Sequence, residues 1–180
     1  MMKRNILRAA VAASILGISG VAFASDTADV PFTGTVEDLC KLDADPTGGT
    51  IALANTLGKT DRLTARPAET SNGALGSFTY KCSTGTANLT VNTPEPTGGD
   101  PFTSALESVP GYTKGANIYD DNGGTNSIAE VTDSDATAAT ASAQPGVPTT
   151  YYVSMWAETS GTDIPSGDYA YTVTIDIVDN

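Results

Sequence analysis

The sequence predicts an all-β chain built as a sandwich or barrel, and three observations carry that expectation. Past residue 25 the apolar residues mostly alternate with polar ones, which turns one face of an extended chain into a core. The alternating runs are short and bounded by clusters of Gly, Pro, Asn, Asp and Thr. Helix signals are nearly absent from the same region.

The elements follow in chain order. In "DVPFTGTVEDLC" (29–40), Val30, Phe32, Gly34 and Val36 share one face of a predicted strand over 29–39. Pro31 lacks a ladder donor and Gly34 has no side chain to pack, so this strand suits an edge or a close backbone approach. "ADPTGG" (44–49) reads as a turn, and "TIALA" (50–54) as a strand burying Ile51 and Leu53. Residues 55–74 are polar. "GSFTYKC" (76–82) presents Phe78, Tyr80 and Cys82 on one face, and "TANLTVNT" (86–93) presents Ala87, Leu89 and Val91. Residues 94–101 read as a loop. Residues 115–131 read as two strands around an Asp-Asn-Gly-Gly turn. Residues 132–148 are low-complexity and are expected as an exposed loop. "TTYYVSMWAETSG" (149–161) alternates Tyr151, Val153, Met155 and Ala157, with Trp156 on the opposite face. The last strand is the clearest: Tyr169, Tyr171, Val173, Ile175 and Ile177 share a face rich in aromatic and β-branched residues.

Residues 1–24 read as an export signal, with a basic start (Lys3, Arg4, Arg8), an apolar run and Ala22-Phe23-Ala24 before the expected cleavage site. Removing it leaves 6 basic residues against 21 acidic ones, a net charge of −15 compared with −12 for the whole chain. That balance argues against nucleic-acid binding, which needs a basic footprint. Export also suits one disulfide between the two cysteines, Cys40 and Cys82.

Little points to catalysis. There is no His, which removes the commonest general base and metal ligand. The acidic residues are scattered through turns without a pair placed as acid and nucleophile. "DDNGGTNSIAEV" starts like a calcium loop, but Thr125 stands where Gly is needed and Val131 where Glu is needed, so a hairpin turn is the better reading. No catalytic residue, metal or cofactor is expected.

The opening segment, the cysteine pair and the last strand together resemble subunits of chaperone–usher pili, of the type 1 and P fimbrial kind. "VPFTGTVEDLC" matches the family's alternating N-terminal extension with an internal Gly and a Cys soon after. Cys82 follows Cys40 at the family's spacing, and Gly167 lies fourteen residues from the end, before an alternating last strand. The chain departs from the pattern at Asp179, where the family has an aromatic. "KCSTGTANLTV" and "IPSGDYAYTVTIDI" also resemble the spore coat U type of secreted domain.

The resemblance implies an incomplete Ig-like β-sandwich over 40–180, completed by a donated strand from residues 25–39 of another copy. Val30, Phe32 and Val36 would enter pockets, and Gly34 would lie where two backbones approach closely. Gly167, Tyr169, Tyr171, Val173, Ile175 and Ile177 would form the acceptor groove, filled first by a periplasmic chaperone. The implied product is a homopolymeric fimbrium at the cell surface, assembled at an outer-membrane usher and supporting adhesion. The competing expectation is a self-complete secreted coat or carbohydrate-binding sandwich, with residues 29–39 as its own first strand and Trp156 as a ligand platform.

Overall fold

In a computed structural model the chain divides, by its internal contacts, into two units, Met1–Thr35 and Val36–Asn180. The structure describes Thr33 and residues 40–83, 86–97, 101–133, 135–136, 138–142 and 144–179. The predicted donor strand, with Val30, Phe32, Gly34 and Val36, and the expected export signal over 1–24 lie outside the described residues.

The second unit is an all-β sandwich of antiparallel sheets. The large sheet runs in the order β1 (Cys40–Leu42), β4 (Gly76–Cys82), β11 (Thr149–Glu158), β7 (Thr113–Tyr119), β8 (Ser127–Thr132), β9 (Asp135–Ala136). Against it lies a sheet of β10 (Ala138–Ser142), β5 (Thr86–Val91) and β13 (Ile175–Asp179), and a short pair of β6 (Glu95–Pro96) and β12 (Tyr171–Thr172). Strands β2 (Ala52–Leu53) and β3 (Arg62–Thr64) extend the large sheet, and α1 (Pro101–Glu107) caps one end of the core with Leu106.

Alternation fixes which face of each strand is inside. Phe78, Tyr80 and Cys82 of β4, Ala87, Leu89 and Val91 of β5, and Tyr151, Met155 and Ala157 of β11 are all buried in one core. Each fully buried Leu, Val or Ile stabilises the sandwich by roughly 1.5–3 kcal/mol. Phe78, Tyr80 and Tyr151 stack with ring centroids 5.6–6.3 Å apart. The turn between β7 and β8 is held by Asp121, whose carboxylate accepts hydrogen bonds from the backbone N–H groups of Gly123, Thr125 and Asn126. Those bonds, Asn126 first, hold its carboxyl below the usual range.

Four segments differ from the sequence expectation. Residues 132–148, expected as a loop, include β9 and β10. β9 pairs with β8 in the large sheet and β10 with β5 in the small one, so the chain crosses between sheets there and closes that side. Backbone pairing makes this crossing, and an Ala-Thr-Ser stretch does not advertise it. Within the polar stretch 55–74, β3 adds to the far half of β11, because β4 covers only Thr149–Val153 of that long strand. The expected loop at 94–101 includes the short strand β6, and a helix starts on its last residue, Pro101, the position where a missing N–H costs least. Leu53 is 38% exposed while Ala54 is fully buried. The pairing with β3 lasts two residues before a 3-10 turn at Asn55–Leu57 redirects the chain.

Candidate functional site: an open groove along the last strand

Among the described residues, the side of the sandwich opposite the β9–β10 crossing is open. One rim is the segment from Cys40 to Ile51, which runs along β4. Its ladder continues past β1 through Asp43 N–H to Thr79 O, the reciprocal Thr47–Ser77 pair and the Thr50–Ala74 pair. The wall is thin at its glycines: a Cβ on Gly49 would lie 2.7 Å from Ala74 O and Gly76 N, so only Gly permits this approach. The other rim is the last segment, where β12 is paired only to β6 and β13 only to β5. Among the described residues nothing pairs with the outer edge of β1 or of β13. Between the rims lies a groove of about 920 Å³, floored by Phe78, Val153, Met155 and Ala65.

The structure places five of the six predicted acceptor residues in this groove. Tyr169, Tyr171, Val173, Ile175 and Ile177 line it. Their alternation is visible in their exposure: each is half-buried, while Ala170, Thr172, Thr174, Asp176 and Val178 are exposed. A complete sandwich would bury such a face. Gly167 does not line the groove. A Cβ on it would fall 2.5 Å from the Phe102 ring, which itself meets Tyr169 edge-on. Its lack of a side chain makes room for an aromatic from α1.

The expected single last strand is two. It breaks at Val173–Thr174, where its partner changes from β6 to β5. Tyr171 is tied across the core by its hydroxyl, 2.9 Å from that of Tyr112. Burial, then this bond, pushes the Tyr112 hydroxyl's ionisation well above the usual tyrosine range. Among the described residues the Tyr80 hydroxyl is buried without a hydrogen-bond partner, and burial raises its ionisation above the usual tyrosine range.

The disulfide Cys40–Cys82 is present and bridges directly opposed residues of β1 and β4. It pins the start of one rim to the large sheet. Cys40 lines the groove, and Cys82 is buried beneath it. Asp179 sits beside the two sulfurs, with Oδ1 buried and, among the described residues, unpartnered. Both sulfurs are spent in the disulfide, so the trio is no metal centre.

Sequence reasoning missed the first rim. Gly48–Gly49 fall in the stretch 44–49 that reads as a turn, and Leu42, 49% exposed, lies outside any element expected from the sequence. The signal was the exposed apolar residue beside a disulfide cysteine. Trp156 lies on the opposite face of β11, with the Arg62 guanidinium 4.7 Å over its ring. No family model matches the chain, and no curated protein matches it.

Proposed function

We propose that this chain is a fibre subunit of the chaperone–usher pilus kind, whose open groove is completed by the N-terminal extension of another copy. The observation that carries the reading is the half-buried face Tyr169, Tyr171, Val173, Ile175, Ile177, open between two strand edges. Two edges with an apolar slot between them form a receptor for one extended strand. Backbone hydrogen bonds supply affinity and alternate side chains supply register.

The extension has the matching pattern. Val30, Phe32, Gly34 and Val36 alternate, and extending the same phase brings in Ala28, giving five inward positions for five acceptor positions. Burying Val30, Phe32 and Val36 stabilises the complex by roughly 5–9 kcal/mol before ladder bonds. Pro31 falls on the outward phase, where it is tolerated if its missing N–H faces away from the ladder. A periplasmic chaperone strand would hold the groove until an outer-membrane usher presents the next subunit, giving an adhesive fimbrium at the cell surface.

The test uses chain 37–180, oxidised, and a synthetic peptide of residues 25–36. The truncated chain should stay monomeric and bind the peptide in a complex that survives SDS without boiling. Chain 25–180 should form polymers under the same conditions. If the truncated chain polymerises equally well, or the peptide does not bind, the reading fails.

A further inference from the structure

The face of the large sheet turned away from the groove carries a second concavity, of about 210 Å³. We propose that it is a binding site for one pyranose ring, held through vicinal hydroxyls. This reading is independent of what fills the groove.

The cleft concentrates scarce residues. Past residue 24 the chain has two arginines, Arg62 and Arg66, and one tryptophan, Trp156, and all three line it. Its floor is polar yet buried: Thr64 is 1% exposed, and Ser154 and Tyr119 are 3% exposed. The Tyr119 hydroxyl meets Ser154 Oγ at 3.1 Å. Outward sheet positions are ordinarily solvated. Here the 65–73 loop and the 120–126 turn rise on either side and are linked by Arg66 Nε donating to Gly124 O at 2.9 Å.

The polar groups hold one another in place. Glu69 accepts from Arg62 Nε at 3.0 Å and faces Arg66 Nη1 at 3.4 Å. Asn117 Nδ2 donates toward Ser127 Oγ and Glu130 Oε2. Such fixing lowers the ordering cost of binding. Capacity is left over: among the described residues Arg66 Nη2, Asn117 Oδ1 and Glu130 Oε1 make no hydrogen bond. These are two acceptors and one donor on residues that line the cleft.

That set selects the ligand class. Among the lining residues two guanidiniums face two carboxylates, Glu69 and Glu130, and Arg62 is also paired with Glu158 at 2.8 Å outside the lining. The guanidiniums are already engaged by Glu69, and the chain carries a net −12, so a phosphate or other anion is disfavoured. The lining is too polar for an apolar guest. Adjacent ring hydroxyls both donate and accept, which suits a mixed frame of carboxylate, amide and guanidinium. The volume lies below the roughly 300–1,000 Å³ of drug-sized pockets, which limits the guest to about one ring. Guanidiniums lie over Trp156 and Tyr119 at 4.7 and 6.0 Å, so recognition is by hydrogen bonds and not by stacking on a bare ring.

The single tryptophan makes the test direct. The purified exported chain is titrated with methyl glycosides of glucose, galactose and mannose, with glucuronate and inorganic phosphate as anionic arms, and Trp156 emission is followed. A saturable change at millimolar concentration with at least one neutral glycoside is expected. Asn117→Ala and Glu130→Ala, both at outward strand positions, should weaken it at least tenfold with unchanged circular dichroism and melting temperature. Ligand-observed NMR on the same samples guards against a silent fluorophore. No saturation with any neutral glycoside by either method, equal binding by both variants, or binding of the anions alone would overturn the proposal.

Discussion

The hydroxyls of Tyr112 and Tyr171 meet at 2.9 Å, joining the approach to β7 to the groove-lining face of the last segment. The bond fixes where the Tyr171 ring stands in an otherwise half-open slot. Tyr171→Phe removes it and leaves the half-buried Tyr112 hydroxyl without this partner, so a loss of about 1 kcal/mol in urea unfolding is expected. The double variant with Tyr112→Phe should cost less than the sum of the singles, because neither hydroxyl is then stranded.

The groove predicts a separation between folding and assembly. Ile175 is half-buried, packed against the core and lining the groove, so Ile175→Asp should still fold, with a lowered melting temperature. The same change forfeits one apolar contact of roughly 1.5–3 kcal/mol, about a 10- to 150-fold weaker complex with the peptide of residues 25–36. Val178→Asp, one strand-flip away on the exposed face, should leave binding unchanged. Peptide titration by calorimetry reads both. Equal weakening by the two variants would argue against a site on the inward face.

The disulfide closes a loop of 42 residues, Cys40 to Cys82, and restrains the unfolded chain by about 4 kcal/mol in the loop-entropy description. Replacing both cysteines with Ser should lower stability by up to that amount. It should also free β1, whose three residues pair with β4 alone, and so open one rim of the groove. Hydrogen exchange at Lys41 and Leu42 should rise more than at Leu89 or Val91, deep in the small sheet.

The groove was half legible in the sequence, and the reasons are physical. The wall from Tyr169 to Ile177 is made by side chains, and period-two alternation announces side chains directly. The wall from Lys41 to Thr50 is made by backbone running beside β4, with Gly49 chosen for closeness, and backbone pairing leaves little trace in hydropathy. The β9–β10 crossing was hidden for the same reason. Gly167 was visible as a glycine before a strand, but its need comes from the Phe102 ring of a helix that no periodicity marked. The polar cleft was still less legible. Arg62, Arg66, Asn117, Glu130 and Trp156 come from separate strands and a loop, and only the pairing of β3, β11, β7 and β8 collects them.

A last prediction concerns acid. Glu158 accepts from Arg62 Nη1 at 2.8 Å and from Lys59. Burial is the largest single influence on its carboxyl and pushes it up, but the hydrogen bonds and charges of Lys59 and Arg62 together outweigh it and hold it below the usual glutamate value. A carboxyl depressed on folding adds stability that is present above its unfolded value and is lost as pH falls through the folded one. The loss should therefore begin below about pH 5 and continue past the ordinary glutamate value of roughly 4.3. Glu158→Gln should reduce stability near neutral pH by up to about 1 kcal/mol, since the pair is partly exposed and screened. The variant should then lose less than the parent between about pH 5 and pH 3. Melting temperatures recorded across that range for both proteins make the comparison, and parallel curves would show that Glu158 carries none of the acid sensitivity.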